Sequence, residues 1–550
     1  MEIELTRLTK DGGPLTKQIS LSPDGTLVKD GSACVMAHGT AERVRLAGVD
    51  ALGALIEGLT PSQALALGAL RADLPDKVKV VSKNRLVNGA ARPDIIARTG
   101  ANIVYHGPAF ALLDYDTKAM PAGVAAELRQ RGGFWPSLLT VLPSLGNVAR
   151  VTRSSTSAGL SRADTGAALP ESDGVHVYVA AKDGADSERF LRALHDRCWL
   201  AGFGWMLVSS SGALLERSIV DRMVGGPERL VFEGGPVLVP PLQQDKESRR
   251  PIAIDGVALD TVAVCPPLSI VERARLDELK ARERARLAPE MAKAREAFVK
   301  AQALNLVART GMSEHAARQV IIRQCEGVLR PDNVLPFDDP ALAGCTVGDV
   351  LADPERFEGE TLADPLEGVD YGPCKARIMR RANGVPWIHS FAHGRTIYEL
   401  RFDAAAVRKA MQQAAKDEVV ATFALQAAGA DIDAVDLAEL RQLAKKLAGI
   451  NLSAIDATFK AAQQQQAAQN AETTRAHQVA SRRDPRPQIL APFPDEPWLP
   501  QIVVLNEVIG AVVADMPPSR DIDDDAMSVR RRAIPDTHGF TSTNPEGEDE

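Results

Sequence analysis

Residues 109–116 read A-F-A-L-L-D-Y-D, an apolar run that predicts a buried strand ending in two carboxylates. Side chains alternate along a strand, so Asp114 and Asp116 leave one face, about 7 Å apart at Cα, and Tyr115 leaves the other. Two like charges closing an apolar strand repel each other and lose hydration unless a cation or a proton offsets them. Two divalent cations about 4 Å apart suit that spacing, and phosphoryl-transfer chemistry uses such pairs to activate an attacking oxygen and to stabilise a leaving one. A solvated turn after a core strand fits the same residues, so the pair gains meaning only in company.

Four further features could supply that company. His176, in G-V-H at the start of a strand expected over 175–179, is able to face the two aspartates, although a lone histidine on a strand also serves as a packed core residue. The segment 153–160, R-S-S-T-S-A-G-L, offers Ser154, Ser155 and Ser157 beside a cation; such a loop can hydrogen-bond phosphate oxygens or simply turn the chain. Asp221 follows two apolar residues in R-S-I-V-D-R, and G-G-P-E-R-L-V-F-E-G-G-P comes after it. Arg153 and Arg229 are candidates for phosphate contact, and Arg229 has Glu233 nearby as an alternative partner.

In this order, L-L-D-Y-D, G-V-H and I-V-D followed by E-R-L-V-F-E-G-G-P resemble the three motifs of the archaeo-eukaryotic primase superfamily. The resemblance spans about a third of the chain. It implies a primase-like α/β (α+β) catalytic core in which Asp114, Asp116 and Asp221 hold two divalent ions, Mg²⁺ or Mn²⁺, and His176 contacts the phosphates of an incoming nucleotide. One position departs: the family's usual serine two residues before the histidine is Gly174 here, and Ser154, Ser155 or Ser157 is the expected source of the missing hydroxyl. The chemistry agrees, because nucleotidyl transfer asks mainly for positioning and neutralisation of a triphosphate.

The elements that must position these residues follow from the surrounding pattern. The chain has 550 residues, 45% of them hydrophobic, which predicts more than one core. Residues 1–95 read as a mixed domain or arm, with a hairpin around Asp24-Gly25, a helix after Gly48 and a second helix from Pro61-Ser62. Residues 96–265 are the expected catalytic domain, with strands at 109–114, 175–179, 204–209 and 229–232 and helices over 122–131 and 187–200. Residues 266–330 are helical, opened by the capping box Ser269/Glu272 and punctuated by Gly311 and Ser313. The second helix there could enter DNA, but packing is the simpler expectation. Residues 331–402 form a small β-rich domain, 403–482 an Ala/Gln-rich helical spacer without a strong core stripe at its end, and 483–550 a linker with an acidic, largely disordered end.

Other classes are disfavoured. A net charge of -8 argues against coating nucleic acid by bulk positive charge, though not against a local basic groove. Six cysteines lack C-x-x-C spacing, and His389 and His393 lack the glutamate of H-E-x-x-H, so no zinc is expected. No apolar run of membrane length and no cleavable leader is read, which predicts no membrane association and a cytoplasmic location. Residues 331–402, with R-P-Q-I-L-A-P and R-D-I-D-D-D-A further on, look similar to linker regions of mobile-element replication proteins, in which a primase half precedes a helicase half. The chain has no G-x-x-x-x-G-K-[ST], so no helicase motor is expected within it. The expectation is a DNA primase or primase-polymerase serving a plasmid, phage or integrated element, acting on single-stranded DNA and nucleoside triphosphates, with a helicase encoded separately or in a missing C-terminal half. The alternatives are a catalytically weak primase-fold scaffold that binds nucleic acid and recruits such a helicase, and a metal nuclease using the same acids.

Overall fold

The strand Ala109–Tyr115 lies at one end of a four-stranded antiparallel sheet, followed in spatial order by Val175–Ala181, Arg150–Ser154 and Ile252–Ile254. A computed structural model describes residues 2–482 other than 83–85, 87–93, 116, 118, 170–172, 370–371, 382–383, 391 and 393–396. Alternation decides what each face of the sheet meets. Ala111, Leu113, Tyr115, Val177 and Val179 bury against the helices Phe134–Val141 and Ser187–Leu200. Phe110, Leu112, Val151, Tyr178 and Ala180 bury against Ile3, Leu5, Leu52 and Ile56 of the N-terminal segment. Tyr115 confirms the first face by stacking on Phe134, with ring centroids 4.5 Å apart. Asp114 therefore belongs to the second face, where the row Phe110–Leu112 ends.

That second face is covered by a mainly antiparallel five-stranded sheet in the order Gln63–Ala66, Ile3–Lys10, His38–Leu46, Lys77–Val81 and Ile95–Ile96, together with the helix Val49–Glu57. The N-terminal residues are thus a layer of the core rather than an arm. The hairpin forms as expected, with Gln18–Leu21 against Leu27–Asp30. The second helix does not: Gln63–Ala66 is a strand, paired with Thr6–Thr9 and bonded through Leu65 to Val231. Ala64, Leu65 and Ala66 are all buried, so no alternation marked them as strand, and tertiary pairing overrode the helix propensity of alanine.

The central segment departs from the expected strand list in two places. Among the described residues, Gly204–Val208 pairs only with Leu214–Ser218, as a hairpin of its own, and residues 229–232 contribute a single bridge at Val231. The helices Ala122–Gln130 and Ser187–Leu200 form where periodicity predicts them. The core sheet is antiparallel, so the mixture of helix and strand is of the α+β kind; the described residues contain thirteen α-helices and several small sheets.

Downstream, Ser269 and Glu272 form the capping box of a 41-residue helix, Ile270–Thr310, and Gly311 ends it with a left-handed φ of 73°. The following helix, Glu314–Cys325, buries Ala317, Val320, Ile321 and Cys325 in a core shared with the β-rich segment. That segment is a five-stranded sheet in the order Val328–Leu329, Ile397–Leu400, Pro386–Ser390, Ala376–Arg380 and Thr361–Leu362. The expected spacer proves to have a core of its own: Val407, Met411, Val420, Phe423, Leu440, Ala444 and Ile455 bury together from four helices. Residues up to Asn470 group as one compact unit and those from Ala471 as a second, of which only the helical residues to Arg482 are described. R-P-Q-I-L-A-P, the helix expected over 502–513 and D-I-D-D-D-A lie outside the described residues. No helix among the described residues is long and apolar enough to cross a membrane, and all six cysteines are free thiols.

Candidate active site

Strand register brings the candidate residues into one row. Asp114 is opposite His176, and His176 is opposite Arg153, so three polar side chains sit side by side where three adjacent strands run out of apolar residues. His176 Nε2 lies 3.5 Å from Asp114 Oδ1, and its Nδ1 lies 2.5 Å from Glu233 Oε1. The imidazole therefore bridges a carboxylate that is 27% exposed and one that is wholly buried.

Glu233 organises what lies beneath. Its carboxylate also accepts the Tyr178 hydroxyl at 2.5 Å and Arg153 Nη1 at 3.2 Å, and Arg249 Nη2 stands 3.7 Å away. A buried carboxylate is tolerable only when its lone pairs and charge are both answered, as they are here. Burial pushes the Glu233 carboxyl upward, but His176 and Arg153 outweigh it and hold the group below its ordinary value. For His176, burial alone would lower the imidazole; Glu233 and Asp114 overcome that and raise it to about 9. Burial and the same carboxylate push the Tyr178 phenol far up, and burial with Arg153 beside it lowers Arg249 to about 10.

Arg153 is turned into the core. Its expected phosphate contact is not what the structure gives: it is 8% exposed and donates to the carbonyls of Ile56, Glu233 and Arg249 as well as to the Glu233 carboxylate. Residue 153 shares a face with Val151, and the N-terminal layer covers that face. It supports His176 from below instead.

The third motif arrives beside the first. The Asp221 amide donates to the Asp114 carbonyl at 3.0 Å, so the two acids are backbone neighbours although distant along the chain. Ile219 and Val220, both fully buried, anchor the approach. Ser218 Oγ fixes it further, 2.9 Å from the buried His195 Nδ1 and donating to the Val220 carbonyl at 2.9 Å. Asp221 Oδ1 accepts the Met223 amide at 2.8 Å. Asp116 lies outside the described residues. Among the described residues no group of three or more His, Cys, Asp or Glu side chains is set to hold a metal ion, which leaves Asp114 and Asp221 as the pair on which such a site would rest. Carboxylate oxygens are hard donors, so this pair suits Mg²⁺ or Mn²⁺ rather than zinc.

The hydroxyl loop closes another side. The Ser155 amide donates to the Gly174 carbonyl at 2.9 Å, and a Cβ at residue 174 would come within 3.1 Å of Ser155 Cβ and 3.4 Å of its Oγ. Ser155 thus places a hydroxyl where a side chain at 174 would project. Ser157 Oγ, 3.4 Å from Ser155 Oγ, accepts Lys29 Nζ at 2.9 Å, while Ser154 ends its strand half-buried on the face opposite Arg153. Arg229 follows a loop pinned by Arg98 Nη1 to the Glu228 carbonyl at 2.6 Å and by the Gly68 amide to the Pro227 carbonyl at 2.9 Å.

Tyr178 and Arg249 were not singled out in the sequence, and Glu233 only as an alternative partner of Arg229. Tyr178 carried a usable signal, since it stands two residues after His176 and must share its face. The pairing of Glu233 with His176 carried none, the two being 57 residues apart with Glu233 in a loop. His389 lies in the strand Pro386–Ser390, edge-on to Trp387 at 5.7 Å, and its expected companion His393 is outside the described residues.

The His176 environment predicts a pH effect. The folded chain keeps this proton up to about pH 9 and the unfolded chain releases it near 6.5, so the native state binds more protons between those values. The stabilisation is complete below pH 6.5 and fades as pH rises towards 9. Urea midpoints are expected to fall across that window, and side-chain NMR of labelled histidine should show one imidazole titrating near its upper end.

Comparison with known protein families, with curated proteins and with solved structures finds no match to this chain.

Proposed function

We propose that the chain is a metal-dependent nucleotidyltransferase, a DNA primase or primase-polymerase that joins nucleoside triphosphates on a single-stranded DNA template during replication of a mobile element. The observation that carries the reading is the 3.0 Å bond from the Asp221 amide to the Asp114 carbonyl, beside a strand pair that sets His176 against Asp114. Asp114 and Asp221, with Asp116 by sequence, would hold Mg²⁺ or Mn²⁺, which when bound neutralises the triphosphate and activates the attacking hydroxyl. The chain's own residues do the positioning. His176, kept cationic at neutral pH by Glu233 and Asp114, presents positive charge to phosphate oxygens. Glu233, held by Arg153 and Tyr178, fixes the imidazole so that its Nε2 side faces Asp114. Ser155 offers a hydroxyl beside Gly174.

The test is incorporation of labelled nucleotides by the full chain on single-stranded DNA, with Mg²⁺ or Mn²⁺ and with both ribo- and deoxynucleotides. Labelled product that requires the template and the metal supports the reading. Binding of DNA with no incorporation under any of these conditions would leave a primase-fold scaffold that recruits a helicase, and degradation of labelled DNA without added nucleotides would indicate a nuclease.

A further inference from the structure

We infer that the sheet of the β-rich segment presents a binding face for single-stranded nucleic acid, on which Trp387 and His389 stack bases and Arg377 meets the phosphate backbone. The face is separate from the acids at Asp114 and Asp221, and the inference does not depend on the transferase reading. Alternation divides the sheet into two sides. Ala376, Ile378, Ile388, Tyr398 and Leu400 point into the core shared with the helix Glu314–Cys325. Arg377, Trp387, His389 and Glu399 leave the other way, and each is only partly buried. Register sets Arg377 directly opposite His389 and Glu399 opposite Trp387, so the four form one patch across three strands. The two rings meet edge-on, with centroids 5.7 Å apart and planes at 81°.

The charge of the patch is positive. Its acid, Glu399, is already answered twice, by Arg381 Nη2 at 3.0 Å and by Arg401 Nη2 at 3.3 Å. Arg377 has no such partner: its guanidinium makes no hydrogen bond or ion pair among the described residues, and its Nε is shut away from solvent without an acceptor. An unanswered guanidinium costs free energy that a phosphate oxygen offsets. Three arginines against one glutamate, in a chain of net charge -8, concentrate positive charge where the rings are, which complements a polyanion. Every base carries a π-face, and a single strand leaves those faces open whereas a duplex hides them. Aromatic rings set among cations on a sheet face therefore select single strands without reading sequence.

Fluorescence anisotropy with the full chain tests this, using labelled single strands of deoxythymidine and of uridine, an abasic single strand of the same length, and a duplex. Trp387→Ala is expected to weaken binding to the two base-bearing single strands by roughly tenfold, as loss of one stacked base does, and to leave the abasic strand and the duplex unchanged. Trp387→Phe should keep most of the affinity, which separates loss of the ring from loss of the fold. Arg377→Gln should weaken every single strand, the abasic one included, and lower the slope of log affinity against log salt by about 0.7. Lys409→Met, which removes a charge from an exposed helix position, should change none of these. Tighter binding of either the DNA or the RNA strand supports the face and names its ligand. The proposal is overturned if the wild type binds no single strand, or if Trp387→Ala binds the base-bearing strands as tightly as the wild type. An equal loss on the base-bearing and abasic strands overturns it as well, since it reduces Trp387 to packing. Nucleotide incorporation, present or absent, bears on the transferase reading alone.

Discussion

Replacing Asp114 by asparagine is expected to lower template-dependent incorporation on the order of a thousandfold, with the fold unchanged by circular dichroism. The side chain is partly exposed at the end of its strand, with the His176 imidazole 3.5 Å away. Asparagine keeps the shape and one oxygen but removes the charge that a divalent cation requires, and loss of such a transition-state contact costs about 3 to 4 kcal/mol of barrier. Rates measured at saturating nucleotide separate this from weaker substrate binding: the loss should fall on kcat as well as on kcat/KM. Asp114→Glu should restore little, because one extra methylene moves the carboxylate relative to its backbone neighbour Asp221.

The largest effect on stability is expected at a residue that would touch no substrate. Glu233→Ala removes the single carboxylate that Arg153, Arg249, His176 and Tyr178 share. Leaving buried cations without their counter-charge destabilises by about 3 to 5 kcal/mol, against less than that for Glu233→Gln, which keeps the volume and part of the hydrogen bonding. Urea denaturation followed by circular dichroism should show the difference in midpoint between the two variants. Because His176 owes its raised pKa chiefly to Glu233, the glutamine variant should also move the imidazole titration down from about 9.

How much of this could be read beforehand depends on the range of the interaction involved. The strand at Asp114 and the strand at His176 were legible because an apolar run that stops abruptly at a charge is a local pattern, and local alternation places Asp114 and Tyr115 on opposite faces. The helices 122–130 and 187–200, the capping box at Ser269 and the left-handed stop at Gly311 were legible for the same reason. What failed was long-range. Arg153 looks like any arginine in a polar loop, and nothing near it announces that a layer built from residues 3–66 covers its face. Residues 63–66 looked helical because both of their faces are buried, which erases the alternation. The alanine-rich helices after 403 looked like a spacer because small residues pack closely without a large apolar stripe, as Ala444 shows at the centre of its core. Glu233 reaches the site through chain folding alone.

Mn²⁺ binding followed by electron paramagnetic resonance tests most directly whether Asp114 and Asp221 act as one cation-holding centre. Asp221→Asn is expected to weaken Mn²⁺ binding by about tenfold or more, Asp114→Asn to do the same, and the double variant to lose little beyond either alone, because two ligands of one ion are not independent. Mn²⁺ binding in Asp221→Asn that equals the wild type would contradict a shared centre.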